Sequence, residues 1–315
     1  MPSLTTLLLG TTPSASLDAA IEVFLFRCDA EGLSPATHRF YRQQLDTLRR
    51  FLTEHNLPTA PDAWTPDHLR AYLLHLRQEK RTPSGKPLSP FSIAAAYRAV
   101  SAFARWLHRE GYTSHNAAQG LAAPRTPKPH IPGLSGPEIE RLLAAPNART
   151  DARYRDRVAI TVLVDTGLRL SELLGITLAD LNLREGTVRV WGKGRKQRVV
   201  GIGLRSRRAL AHYLTIRGNP AGQPLLFLTQ SGEALKPRHL QQRIAAYGKK
   251  AGLGRVHPHL LRRTFARHWL VNGGGIVHLK AALGHTTLAQ SEYYASLLDA
   301  DLLTAARSAS PMDRL

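Results

Sequence analysis

Four stretches in the second half of the 315-residue sequence hold side chains whose types and spacing suit chemistry at a phosphate. They are Thr166-Gly167-Leu168-Arg169-Leu170-Ser171-Glu172, the glycine-flanked Lys193, His259-Leu260-Leu261-Arg262, and Leu283-Gly284-His285 with Tyr294 nine residues beyond that histidine. The set is cationic and phenolic. Guanidinium forks grip phosphate oxygens two at a time, and a phenol becomes a nucleophile once it is ionised. No Walker loop, dinucleotide-binding glycine fingerprint or His-Glu-x-x-His pair is present, so nucleotide-driven work and zinc-protease chemistry have no support. His257, His259 and His268 invite a metal reading, yet no carboxylate or cysteine stands at a matching spacing, so neither metal nor cofactor is expected.

These residues need elements to carry them. Val188 and Val190, then Val199 and Val200, flank Gly192-Lys193-Gly194-Arg195-Lys196 and predict a β-hairpin with a cationic tip. His259 and Arg262 stand three apart on a helix begun by Pro258, which puts both on one face. Pro137–Ala145 and Arg153–Asp165 read as helices, Leu170–Gly175 as a short segment and Leu225–Leu228 as a further strand. From Lys236 onward the chain is again helical, with a loose break at Gly273-Gly274-Gly275 that would leave the segment before Leu283 mobile. In the first half, Ser34-Pro35, Thr65-Pro66 and Ser89-Pro90 each pair a hydroxyl N-cap with proline at the first helical position. The stripes Leu17/Ile21/Phe24/Cys28, Tyr41/Leu45/Leu48/Leu52 and Tyr97/Val100/Ala104/Leu107 have helical spacing. The proline-rich stretch 121–136, without apolar periodicity, reads as an extended linker. The expectation is a mainly α, two-domain chain: an all-helical amino-terminal domain over 1–120, the linker, and an α+β domain with a small antiparallel sheet over 137–315.

The sequence holds 43 Lys and Arg against 23 Asp and Glu, a formal charge of +20, of which residues 126–315 carry +16. That excess calls for a polyanionic partner, and double-stranded DNA is the one expected. Of the cations 34 are Arg and 9 are Lys, a ratio that fits phosphate recognition and equally fits a genome rich in Ala, Leu and Arg codons. With 43% hydrophobic and 21% charged residues the chain is not of the disordered class. No apolar run approaches the roughly 18 residues that cross a bilayer, so no membrane partner is expected. Cys28 stands alone and Met1–Gly10 lacks a cationic start and a cleavage site; both fit a cytoplasmic protein.

In order and spacing the four stretches resemble the tyrosine recombinase (phage integrase, Xer-like) family, and the resemblance covers nearly the whole chain. The family's Thr-Gly-x-Arg-x-x-Glu stretch is matched by Arg169 and Glu172, and its hairpin lysine by Lys193. Its His-x-x-Arg pair falls on His259 and Arg262, and its Leu-Gly-His on His285. Its nucleophilic tyrosine falls on Tyr294; the adjacent Tyr293 is a rival that the nine-residue spacing disfavours. The resemblance implies a catalytic set of Arg169, Lys193, His259, Arg262, His285 and Tyr294, with Lys193 as general acid, His285 bonding the phosphate and Glu172 holding Arg169. It also implies a SAM-like, core-DNA-binding amino-terminal domain and a homotetramer on paired DNA sites, with or without a partner recombinase. Arg263 departs from the histidine many members have there and reads as a further phosphate contact. Arg39, Arg42, Arg195 and Lys196 join it as DNA-binding candidates. Lys193, Arg195, Lys196 and Arg198 also fit a merely solvated hairpin tip. The tail containing Leu302, Leu303 and Ala306 reads as a short helix, of the kind that in relatives docks onto a neighbouring protomer.

The chemistry agrees with that resemblance. Phosphodiester exchange needs a nucleophile, neutralisation of a phosphorane-like transition state and a proton for the leaving alkoxide. A phenol of pKa about 10 is only about a thousandth ionised at neutral pH, so Tyr294 needs cations beside it. A phosphotyrosine conserves the energy of the cleaved bond, so rejoining needs no ATP. The expected activity is site-specific cleavage and rejoining of DNA through a 3′-phosphotyrosine, by metal-independent transesterification. Type IB topoisomerase-like relaxation and a catalytically silent DNA-binding regulator are the competing readings.

Overall fold

Ser16, Ser34, Thr65 and Ser89 each turn a side-chain oxygen back onto the amide three residues ahead, at 3.3, 3.2, 3.4 and 3.1 Å. Each bond satisfies an amide that the first helical turn leaves open. The helices so started are α1 (Leu17–Ala30), α2 (Pro35–Glu54), α3 (Pro66–Gln78) and α4 (Pro90–Arg109). The computed structural model describes residues 16–127, 133–192, 197–220 and 222–284, and the chain divides into two compact units, 1–129 and 130–315.

In the first unit the apolar stripes meet in one core. Phe24 lies edge-on to Tyr41 and Phe103, with centroids 5.1 and 5.3 Å apart, and Leu45, Leu48, Leu52 and Leu107 are buried around them. Burying one such side chain stabilises the fold by about 1.5–3 kcal/mol.

The second unit is built on α6 (Asp151–Thr166), whose Val158, Ala159, Ile160, Val162 and Leu163 are all buried. Around it pack α5 (Gly136–Ala144), α8 (Leu204–Arg217), α9 (Pro237–Lys250) and α10 (Pro258–Val271). The short α7 (Leu170–Leu174) follows α6. It touches an antiparallel sheet of β1 (Leu181–Asn182), β2 (Thr187–Trp191) and β3 (Gln197–Gly201), ordered β1-β2-β3. Val188 faces Val200 and Val190 faces Arg198 across the hairpin. The last described helix, α11 (Ile276–Leu283), packs on α10 and β3.

Two expectations change. Leu225–Leu228 is not a strand: it makes isolated bridges, Thr177 to Leu225 and Leu228 to Ala234. Arg217 explains this, because its Nε donates to the carbonyls of Leu225 and Leu226, both at 3.1 Å, acceptors that a strand partner would use. The triple glycine is a tight turn: a β-carbon on Gly274 would lie 2.3 Å from Trp269 Nε1, which donates to the Gly275 carbonyl at 3.2 Å. Two leucines of the stretch 121–136, one on either side of residues 128–132, are anchored. Leu121 is buried and accepts from the Tyr97 hydroxyl at 2.9 Å. Leu134, also buried, is held on α10 at its amide by Thr264 Oγ1, 2.9 Å, and at its carbonyl by His268 Nε2, 2.8 Å.

Candidate active site

The site begins at the end of α6, where the chain must turn sharply into α7. Gly167 makes the turn with a φ of +63°, a conformation natural to glycine. Arg169 then becomes the N-cap of α7, and Glu172, three residues on, reaches back in a capping box. One carboxylate oxygen of Glu172 accepts from the Arg169 amide and the other from Arg169 Nη1, each at 2.8 Å. The Thr-Gly-x-Arg-x-x-Glu pattern is thus a helix start whose capping carboxylate also orients the arginine. Arg169 keeps 39% of its side chain exposed, whereas Glu172 keeps 3%.

Arg262, on α10, is buried and clasps two turns at once. Its Nη1 donates to the Gly167 carbonyl at 2.8 Å and its Nη2 to the Leu283 carbonyl at 2.6 Å. It therefore links the Arg169 turn to the end of α11, just before Gly284. His259 stands one turn earlier on α10. Burial holds its pKa below the ordinary imidazole value, and the charges of Arg262, Arg263 and Arg169 push the same way. The structure thus brings Arg169, His259, Arg262 and Arg263 into one electropositive cluster.

The remaining predicted site residues divide. Lys193, Arg195, Lys196, His285 and Tyr294, together with Tyr293 and the tail at Leu302, Leu303 and Ala306, lie outside the described residues. Arg263 is half-buried, and its buried Nη1 has no hydrogen-bond partner among the described residues. In the first unit Arg39 is exposed, and Arg42 is held in a two-pronged pair by Glu22, whose pKa it lowers. His257 caps α10, its Nδ1 accepting from the Leu260 amide at 3.2 Å. Among the described residues, His55, His75 and Glu79 bring ligand atoms within 4.8 Å of one another. There His75 is already bonded to Glu79, and both imidazoles pack tilted against Phe51, with ring centroids 4.6 and 5.0 Å away.

One residue the sequence reading misjudged is Arg198. It is not a solvated hairpin cation: 15% of its side chain is exposed, and it bonds Glu172 with both Nη atoms. The signal was the pleat. Residues two apart on a strand share a face, so Arg198 shares the inward side of buried Val200.

The phage integrase family model matches residues 133–301, more than half of the chain, and the phage integrase amino-terminal SAM-like domain matches residues 21–114. The chain belongs to the phage integrase family of tyrosine recombinases. It is similar to tyrosine recombinase XerC of Salmonella typhi, 34% identical over 271 residues that cover 84% of this chain and 86% of the relative. The XerC of Chromohalobacter salexigens is also 34% identical, over 285 residues covering 89% and 92%. Among solved structures, XerH recombinase bound to a palindromic difH substrate superposes with a TM-score of 0.73 at 22% identity, covering 93% of this chain and 84% of that one. A lambda integrase dimer bound to a COC′ core site gives 0.71 at 19%, covering 88% and 97%; both likenesses concern the fold. The mainly helical architecture with a small antiparallel sheet is therefore that of the recombinases. This member is a tyrosine-type site-specific recombinase, and neither the topoisomerase-like nor the silent-regulator reading is favoured. No helix among the described residues is long and apolar enough to cross a membrane.

Proposed function

We propose that this recombinase cleaves and rejoins double-stranded DNA through a covalent 3′-phosphotyrosine at Tyr294, without metal or cofactor. The observation that carries the reading is the cluster of Arg169, His259 and Arg262, drawn from the start of α7 and from α10 onto one patch. Each guanidinium has five N–H donors, and the contacts of Arg262 with Gly167 and Leu283 occupy one on each Nη. Guanidinium planes held in this way are suited to grip the nonbridging oxygens of a phosphate. In the forward step Tyr294 Oη forms a bond to phosphorus as the bond to the 5′ oxygen breaks. The phenolic proton leaves to solvent water, and Lys193, as general acid, gives a proton to the departing oxygen. His259 and His285 bond the phosphate, and Glu172 fixes Arg169. Attack by a new 5′ hydroxyl reverses the step and releases the phenol.

The domain division 1–120, 121–136 and 137–315 belongs to this reading, with the amino-terminal domain and Arg39, Arg42, Arg195, Lys196 and Arg263 contacting DNA. So does a homotetramer on paired sites in the cytoplasm, alone or with a partner recombinase. A lambda integrase tetramer bound to a Holliday junction has the same fold, at a TM-score of 0.68. Exposed Val199 and Val277, 65% and 67% accessible, offer apolar surface for such assembly.

The test is a nicked duplex carrying the sequence that the full chain protects in footprinting. The parent is expected to give a covalent adduct on a denaturing gel, and Tyr294→Phe none. An adduct that survives in Tyr294→Phe sinks the assignment. Arg169→Ala or Arg262→Ala should slow adduct formation by about 10²–10³-fold, the usual cost of removing one preorganised donor to a transition state.

A further inference from the structure

Arg198 uses three edges of its guanidinium inside the protein. Nη1 donates to Glu172 Oε1 at 3.0 Å, Nη2 to Glu172 Oε2 at 2.8 Å, and Nε to the Ala282 carbonyl at 2.9 Å. Its plane also lies against Gly284, where a β-carbon would sit 3.0 Å from Nη1 and 3.1 Å from Cζ. Glu172 is therefore shared: one carboxylate accepts from Arg198 and from the Arg169 side chain and amide. Arg198 also stands on β3, five residues after Lys193 in the same hairpin. One largely buried cation thus touches the anchor of Arg169, the end of the helix that leads into His285, and the strand that returns from Lys193.

We propose that Arg198 is a positioning residue for strand cleavage, the strut that sets the Arg169 turn, the hairpin and the Ala282–Gly284 turn in register with one another. The inference rests on the active-site reading above and extends it to a residue that touches no DNA. A bidentate fork fixes both the distance and the angle between two elements. Lysine keeps the charge and loses the fork. Neighbouring Arg262 holds the Leu283 carbonyl, so consecutive carbonyls at the end of α11 are held from the hairpin and from α10.

The experiment uses the full chain and the same nicked duplex, measuring single-turnover adduct formation at saturating protein alongside binding of that duplex. Arg198→Gln is expected to slow adduct formation about 100-fold, the order of loss for groups displaced by about 1 Å. Binding should stay within about threefold of the parent, because no phosphate contact is removed. Glu172→Gln should produce a comparable loss, and the double variant little more than either single one, because both cut the same link. A folded Arg198→Gln protein with the parental rate, fully additive losses, or a loss confined to binding each overturns the proposal. If Arg198→Gln does not fold, Arg198→Lys decides in its place: a slowed rate with intact binding supports the strut, and a parental rate overturns it. The Tyr294→Phe control separates the two claims. If it abolishes the adduct while Arg198→Gln leaves the rate unchanged, only the strut fails; if the adduct persists in Tyr294→Phe, the site reading itself fails.

Discussion

A β-carbon on Gly167 would stand 2.3 Å from Phe265 Cδ1 and 2.8 Å from Leu283 Cδ2, at a backbone angle that disfavours any other residue. Overpacking and left-handed strain together should cost Gly167→Ala about 3 kcal/mol; urea unfolding checks this, and a shift below about 1 kcal/mol would show that the turn can relax. Glu172 makes a pH prediction. Burial by itself would raise its pKa, but the Arg198 fork and the Arg169 amide outweigh it and bring the carboxyl down from 4.5 to about 2. The unfolded chain therefore takes up the proton first. The stability this carboxylate contributes is full above pH 4.5 and is lost as pH falls toward about 2. Glu172→Gln should flatten that part of the acid limb, read from denaturant midpoints across the window. Arg169, Glu172, His259 and Arg262 were legible because their order and spacing make a pattern. Arg198 was not: among four cations in six residues, only strand register tells which one turns inward.

At the level of elements, arginine does work that its abundance did not disclose. Arg217 holds the 223–226 loop, Arg207 donates to the carbonyls of Leu183 and Arg184, and Arg155 donates to that of Leu228. A third explanation thus joins phosphate recognition and codon usage: long planar cations tie loop carbonyls to helices. Helix starts were readable because a cap and its proline are local, whereas Leu225–Leu228 depended on a side chain eight residues upstream. The junction of α6 and α9 is a charged counterpart. Asp156 is fully buried and accepts from Arg155 at 2.8 Å, from the Tyr247 hydroxyl at 2.7 Å and from Arg243. Asp156→Asn leaves Arg155 buried without its counter-charge and should destabilise the protein by about 3–5 kcal/mol. Thermal unfolding would show it, and an unchanged midpoint would mean that the network adds nothing beyond its neutral hydrogen bonds.

For the whole molecule, the formal +20 overstates the charge free to meet a polyanion, because several of the second unit's arginines are engaged internally. Affinity for duplex DNA should still fall steeply with salt: with six to ten phosphates contacted, about 10³–10⁵-fold between roughly 50 and 200 mM. Fluorescence anisotropy at several salt concentrations measures the slope, and a shallow one would argue against a backbone-dominated interface. The two-part organisation was legible from prolines and caps, but the place where the chain takes hold at Gly133 and Leu134 was not. A β-carbon on Gly133 would fall 2.7 Å from the Thr264 Cα, and Leu134 beside it is bonded through both its amide and its carbonyl. Both contacts are to α10, the helix that presents His259 and Arg262. The segment that enters at Gly133 is thus moored directly to the helix that carries His259 and Arg262.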